Sequence, residues 1–279
     1  VTLSPHTAAV HPGESLTLTA SLDVPAVGDT VVTLALTPPA AGTLPATVTV
    51  PNNQISATFT YANLATSGAM QITATFGTSS DTANLVATTA PTHLVISQVY
   101  GGGGNGGTTF KNDFIELHNP LPVAVSLAGM SVQYSSATVA TWTVTSLPSV
   151  SIPPGGYFLI QEAAGTTAGG GTMPLPTPDA VDTIAMGAGA GNVALVASTT
   201  ALNGCPVPGT IVIDLVGYGG GTGIANVDCF ETAAGPALTN PTAALRKQNG
   251  CTDTDSNAAD FTSGAPAPRN SMTTPVACQ

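Results

Sequence analysis

The 279-residue chain carries 15 Asp and Glu against four Lys and Arg, a net charge of −11, and only 7% of its residues are charged. Four basic side chains cannot neutralise a run of phosphates or an anionic lipid surface, which argues against nucleic-acid and membrane-surface binding. Hydrophobic residues make up 43%, mostly small or β-branched and set among Thr and Ser, so the chain is folded and strand-rich, with a length that predicts two domains.

The first 89 residues read as a complete small β-sandwich. Leu16, Leu18, Ala20 and Leu22 alternate with Ser15, Thr17, Thr19 and Ser21, the period-two pattern of a half-buried strand. Val32, Leu34 and Leu36 repeat it, followed by Val48 and Val50, then Ile55, Ala57, Phe59 and Tyr61, then Met70, Ile72, Ala74 and Phe76, with Leu85 in a last strand. Turn formers separate the runs, among them Pro12-Gly13, Pro38-Pro39, Pro51-Asn52-Asn53 and Ser67-Gly68. About seven short strands at this spacing are an immunoglobulin-like signal. The segment resembles bacterial Ig-like repeats of surface proteins through its "LSP" and "HPGESLTLT" stretches. It has no cysteine, so its core must hold without a bridge. Residues 88–92, TTAPT, form a short linker whose proline restricts the relative orientation of the domains.

The second domain, residues 90–279, opens with two strands, residues 93–100 and 113–118, joined by the glycine loop 101–107. Leu94 and Ile96 are expected on one side of the first strand and Val95 and Val99 on the other, which marks a central strand covered on both faces. The glycines allow the loop to fold tightly or to stay mobile. Trp142 and Val144 share a face of the next apolar stretch, with the tryptophan as a core anchor. Phe158 and Ile160 oppose Tyr157 and Leu159. Residues 165–179 form a loop too long for a turn, of the kind used as a contact surface. Residues 193–197 and 211–216 are further strands, and residues 219–223 a glycine tip.

The ordered motifs LVISQVY, NDFIELHNP, VSLAGMSV, IPPGGYFLI, DLVGYG, DTDSNAADF and GAPAPRN resemble bacterial lamin-tail domains over residues 92–271. The resemblance implies a second immunoglobulin-like β-sandwich and a secreted accessory or surface module, often found beside enzymes such as nucleases. The expected fold is therefore all-β, two immunoglobulin-like β-sandwich domains in tandem.

Cys205, Cys229, Cys251 and Cys278 contain no C-x-x-C pair and have no histidine nearby in sequence, which argues for two disulfides over zinc. Three pairings are open. Nearest neighbours favour Cys205–Cys229 and Cys251–Cys278, each closing about 25 residues and contributing roughly 3 kcal/mol through the unfolded chain. Such bridges place the protein in an oxidising compartment, secreted or on the bacterial surface. Val1 opens without a signal-peptide pattern, as expected of a processed chain or a fragment.

Asp253, Asp255, Asn257 and Asp260 form the strongest candidate site: alternating oxygen side chains in D-x-D-x-N, followed by another Asp, could converge on calcium. The glycine and the bidentate glutamate of an EF-hand loop are missing; the alternative is a polar turn with Asx side chains capping backbone amides. No other cofactor is expected. Asp113 and Glu116 are an odd number of positions apart and point to opposite faces, which separates them as an acid–base pair; strand-end hydrogen bonds and a Lys111 ion pair are expected instead. Arg269 is expected to pair with Asp253 or Asp260. His6, His11, His93 and His118 are scattered, no serine sits in a nucleophile-elbow context, and the glycine runs lack the Lys-Ser/Thr and helix of a phosphate loop. An aromatic content of 5% leaves little for a carbohydrate platform. The expectation is a non-catalytic structural or adhesive protein that meets a protein partner or itself through edge strands and loops, as in an extracellular filament. The alternative is an accessory targeting module of a larger extracellular enzyme.

Overall fold

The computed structural model describes all residues except 11, 12, 14, 66, 88–90, 139, 140, 210, 221–226 and 279, and the side chain of residue 9. The chain divides into two compact units, Val1–Ala90 and Pro91–Cys278. Most of the expected linker and the end of the glycine tip lie outside the described residues.

In the first unit the strands are β1 (Thr2–Ser4), β2 (Thr7–Val10), β3 (Ser15–Ser21), β4 (Thr30–Thr37) and β5 (Gly42–Thr43). They continue as β6 (Thr47–Val50), β7 (Ser56–Asn63), β8 (Gly68–Phe76) and β9 (Ser79–Ala87). One sheet runs β1-β3-β7-β5 and the other β2-β9-β8-β4-β6. Strand β2 pairs parallel to β9, while the long pairs β3–β7, β4–β8 and β8–β9 are antiparallel. The alternation read in the sequence becomes the two faces of each sheet. Leu18, Val32, Phe59, Tyr61 and Ile72 are in the core, and Thr17, Thr33, Thr58, Thr60 and Thr75 face solvent. Tyr61, fully buried, donates its hydroxyl to the Ala41 carbonyl at 2.8 Å, so the core takes a large ring without stranding its polar tip.

The second unit contains β10 (Val95–Tyr100), β11 (Asn112–His118), β12 (Val125–Ser126), β13 (Ser131–Ser136), β14 (Thr143–Ser146) and β15 (Ser151–Ile152). It continues with β16 (Tyr157–Ala164), β17 (Ala180–Val181), β18 (Gly191–Val196) and β19 (Val212–Gly220). The last strands are β20 (Gly235–Pro236), β21 (Ala243–Arg246) and β22 (Phe261–Gly264), with the one-turn helix α1 (Asn257–Asp260) just before β22. A six-stranded sheet, β17-β16-β11-β10-β21-β22, faces a five-stranded one, β14-β13-β18-β19-β20. Between them lie Ile96, Val99, Ile115, Leu117, Val193 and Val216.

Both sheets are also covered on their outer faces, so β10, β13, β16, β18 and β19 are buried almost without interruption instead of alternating between buried and exposed. Tyr100, Phe114, Leu159 and Leu175 form an outer cluster on the six-stranded sheet. Trp142, Val196, Val212, Leu215 and Cys229 form one on the five-stranded sheet. Strand β10 is central, as expected, but its side assignment needs correction. A bulge between Ile96 and Gln98 returns Val99 to the side of Leu94 and Ile96, and all three join the main core; one inserted residue reverses the alternation beyond it.

The glycine loop is packed. Gly101 to Gly104 are buried, and a Cβ on Gly102 or Gly103 would overlap the Asn240 carbonyl or the Asn112 peptide. The long loop after β16 zips onto it through the Gly106–Gly170 and Phe110–Met173 bridges. The two loops need glycine because their backbones touch.

Candidate functional site

Beside the bulge in β10, a buried ion pair meets both the N–H and the C=O of Ile96. Asp214 of β19 accepts the Ile96 N–H at 2.6 Å, and Arg246 of β21 donates Nε to the Ile96 carbonyl at 2.9 Å. Arg246 grips Asp214 with Nη2 at 2.9 and 2.7 Å, and Nη1 reaches the Thr252 carbonyl at 3.1 Å and Asp253 Oδ1 at 3.0 Å. Its guanidinium also lies 4.6 Å from the centre of the Phe261 ring. The pair joins the two facing sheets with every guanidinium nitrogen engaged, the condition under which a buried charge is tolerated.

Two of the four candidate calcium ligands belong to this junction. Asp253 holds Arg246, with His93 Nε2 3.5 Å from its other oxygen, and Asp260 Oδ2 is 3.7 Å from Arg246 Nη1. Asp260 also accepts the Thr254 N–H and hydroxyl at 3.0 and 2.7 Å and the Ser256 N–H at 3.3 Å, the Asx-type turn foreseen as the alternative to a metal. Asn257 is turned away. Its Oδ1 accepts from Gly217 and Glu231, and its Nδ2 donates to the Leu215 carbonyl and to Glu231. Asp255 is exposed at a φ of 53°. The four side chains therefore do not share one oxygen cage, and the cation between Asp253 and Asp260 is the guanidinium of Arg246.

The carboxylate that sequence reasoning missed here is Glu231. It is 6% exposed, and its oxygens lie within 4.8 Å of those of Asp253 and Asp260. Burial, then the charge of Asp214, push its pKa up to about 9, so it is protonated at neutral pH and limits the negative charge around Arg246. Burial also raises Asp214 and Asp260, with Arg246 opposing the shift in both.

Asp113 and Glu116 lie on opposite faces of β11, as the odd spacing requires. Asp113 points inward and accepts the N–H groups of Gly103 at 2.8 Å and Met186 at 2.9 Å. Glu116 points outward beneath the C-terminal segment. Its partner is Arg269, 2.7 Å away, and not Lys111. Ser97 and Gln98 also bond it, at 2.5 and 3.0 Å, and Arg269 stacks 3.9 Å from the centre of the Tyr157 ring. The expected pairing of Arg269 with Asp253 or Asp260 is thus replaced by Arg246 at those aspartates. The reason is topological: β21 brings Arg246 beside the bulge, while the C-terminal segment crosses the outer face over Glu116.

Glu162, also unforeseen, accepts from Thr145 at 2.6 Å and from the Ile184 N–H at 2.9 Å. Burial pushes both Asp113 and Glu162 up to about 7. With Tyr134, which accepts the Gly187 N–H, and Tyr218, which donates to the Gly187 carbonyl, they pin the segment before β18. The signal for these groups was present in the sequence: a lone charge at an inward position of an apolar strand, as in YFLIQE and DLVGYG, needs a fixed partner.

The cysteines form the bridges Cys205–Cys229 and Cys251–Cys278. Trp142 is a buried anchor, 5% exposed, with Nε1 donating to the carbonyl of Gly204, the residue before Cys205, at 2.8 Å. No helix among the described residues is long and apolar enough to cross a membrane.

Residues 87–220 match the sequence model of the Lamin Tail Domain. No curated protein sequence matches the chain significantly. Among solved structures the chain is similar to a DUF4876-family protein from Bacteroides thetaiotaomicron, at 12% identity over 92% of this chain and 97% of that one, with a TM-score of 0.47. It is also similar to the D0-D1 domain of intimin, at 15% identity over 70% and 87% of the two chains, with a TM-score of 0.26. Domains 5-6 of the S-layer protein SbsC match at 12% identity over 77% and 93%, with a TM-score of 0.22.

Proposed function

We propose that this protein, whose second unit carries a lamin tail domain behind an Ig-like sandwich, is a non-catalytic structural or adhesive protein outside the bacterial cell, and that it assembles with further copies of itself. One observation carries the reading: charge is withdrawn from the surface and used inside the second unit. Seven of the 15 acidic residues are buried, and Arg246 and Arg269 are engaged by Asp214, Asp253 and Glu116. The exposed faces of the first unit carry hydroxyls instead. Thr47, Thr33, Thr75 and Ser80 sit directly opposite one another across four strands. Thr17 and Thr60 do the same on the other sheet. Such faces can approach another copy without desolvating charge, consistent with the depletion of charged residues at interface cores. Edge strands β6 and β14 leave backbone groups for pairing.

The buried acids support a structural role because each is held by backbone amides, a hydroxyl, an amide side chain or an arginine. The two disulfides support an oxidising, extracellular compartment. Calcium would have to enter a cluster whose positive partner is already Arg246, so the proposed role does not depend on it.

Light scattering and electron microscopy of the native protein, with and without chelator, test the reading. Ordered oligomers or polymers are expected in both conditions; their loss on chelation would assign calcium a part in assembly. A monodisperse monomer in both conditions overturns self-assembly and favours the accessory-module alternative, which predicts a catalytic domain in the same reading frame.

A further inference from the structure

After β22 the chain returns along the outer face of the six-stranded sheet as a strap. Ala267 exchanges hydrogen bonds with the Gln98 side chain at 3.1 and 2.6 Å, Arg269 is held by Glu116, and Val276 donates its N–H to Gly155 at 2.9 Å. The strap ends at the Cys251–Cys278 bridge.

His118, the last residue of β11, is completely buried under this end, its ring stacked 4.6 Å from that of Tyr157. Nε2 lies 3.1 Å from the Val276 carbonyl, while Nδ1 faces the backbone of Gly250 and has no hydrogen-bond partner among the described residues. With the proton on Nε2, where the carbonyl accepts it, the Nδ1 lone pair is free. A buried imidazole with one N–H fixed by a backbone carbonyl and the other nitrogen unpartnered is arranged as metal-ligating histidines are. One nitrogen of His118 and the sulfurs of Cys251 and Cys278 lie within 4.8 Å of one another.

We propose that His118, Cys251 and Cys278 form a site for a thiophilic metal ion, of which zinc is the representative, that opens when their disulfide is reduced. A dithiol reductant delivers two electrons and two protons, leaving two cysteine thiols and its own cyclic disulfide. The metal ion then displaces the two thiol protons and binds two thiolates and one imidazole nitrogen, with water in the fourth position. The strap is thereby closed by a disulfide under oxidising conditions and by a metal ion under reducing ones.

The test is titration of the full chain with Co²⁺ and then Zn²⁺, before and after reduction with a phosphine, which does not itself supply a thiolate. The expected result is one ion per chain with thiolate-to-cobalt charge transfer only after reduction. Cys205→Ser/Cys229→Ser should leave the binding unchanged, Cys251→Ser/Cys278→Ser should abolish it, and His118→Gln should weaken it about tenfold or more. Should the variants fail to fold, ¹⁵N spectra of the reduced wild-type chain decide: zinc must shift the ring-nitrogen resonances of His118. Equal binding before and after reduction, binding that survives loss of Cys251 and Cys278, or unmoved His118 resonances overturn the proposal. So does a reduced chain that unfolds and is not restored by zinc.

Discussion

Arg246 is the residue on which most of the second unit's polar interior depends. Its removal leaves Asp214 and Asp253 without their cation and the Ile96 carbonyl without its donor. Breaking a buried pair from one side costs about 3–5 kcal/mol, so Arg246→Met should lower the denaturant midpoint by that equivalent or prevent folding. Exposed Lys111→Met should change stability by less than about 0.5 kcal/mol, and an equal loss in both variants would remove Arg246 from this role.

Asp113 and Glu162 give a signed dependence on pH. Their pKa values, about 7 in the folded protein against ordinary values of 3.8 and 4.5, mean that the unfolded chain releases protons first as pH rises. The stabilisation is complete below about pH 4 and is lost as pH climbs through about 7. Glu231, at about 9, extends the decline. The thermal midpoint should therefore fall between pH 5 and pH 8. Asp113→Asn/Glu162→Gln should flatten that slope while lowering stability overall, since at Asp113 the amide leaves one of two backbone N–H groups without an acceptor. A midpoint that rises across this range would contradict the buried-acid account.

Among the elements, the glycine loop and the strap make opposite use of the chain. The loop relies on the absence of side chains. Gly103→Ala drives a methyl group into the Asn112–Asp113 backbone and should destabilise by about 1–3 kcal/mol. A methyl group at Gly106 meets nothing within 4 Å, so Gly106→Ala should be nearly neutral; denaturant melts of the two variants make the comparison. The strap relies on side chains and one covalent link. Cys251→Ser/Cys278→Ser should cost about 3 kcal/mol by the chain-entropy argument. Amide exchange at Val276 and Arg269 should accelerate before that of β10 or β11, because the strap loses its anchor while the sheet keeps its ladder. Uniform acceleration would mean that strap and sheet open as one unit.

For the whole molecule, the proposed self-assembly is governed by the scarcity of surface charge. Contacts between threonine-rich faces are not ion pairs, so assembly should survive a rise from about 0.1 to about 1 M salt, over which the Debye length shrinks from about 10 to about 3 Å. Light scattering across that range checks it. Dissociation by salt would move the interface to the exposed aspartates, Lys111 and Lys247. The same scarcity explains why the sequence was legible as β-sandwich: with few charges to interrupt them, the apolar strand patterns stand out.

The sequence by itself determined strands β3, β4 and β6 to β9 of the first unit, because alternation of Leu, Val and Ile with Thr and Ser is local and each sheet there has one wet face. It also determined the resemblance to lamin tail domains, matched over residues 87–220, the centrality of β10, and the opposed faces of Asp113 and Glu116, which follow from strand geometry alone. Only the tertiary structure decided the partners of the charges. Arg246 and Asp214, 32 residues apart, meet because the two sheets face each other. Arg269 reaches Glu116, 153 residues away, because the strap crosses the outer face. The bulge after Ile96, which turns Val99 inward, leaves no local mark in LVISQVY; it is held by groups from β19 and β21. Periodicity is written in neighbours along the chain, whereas charge pairing is set by which strands become neighbours in space.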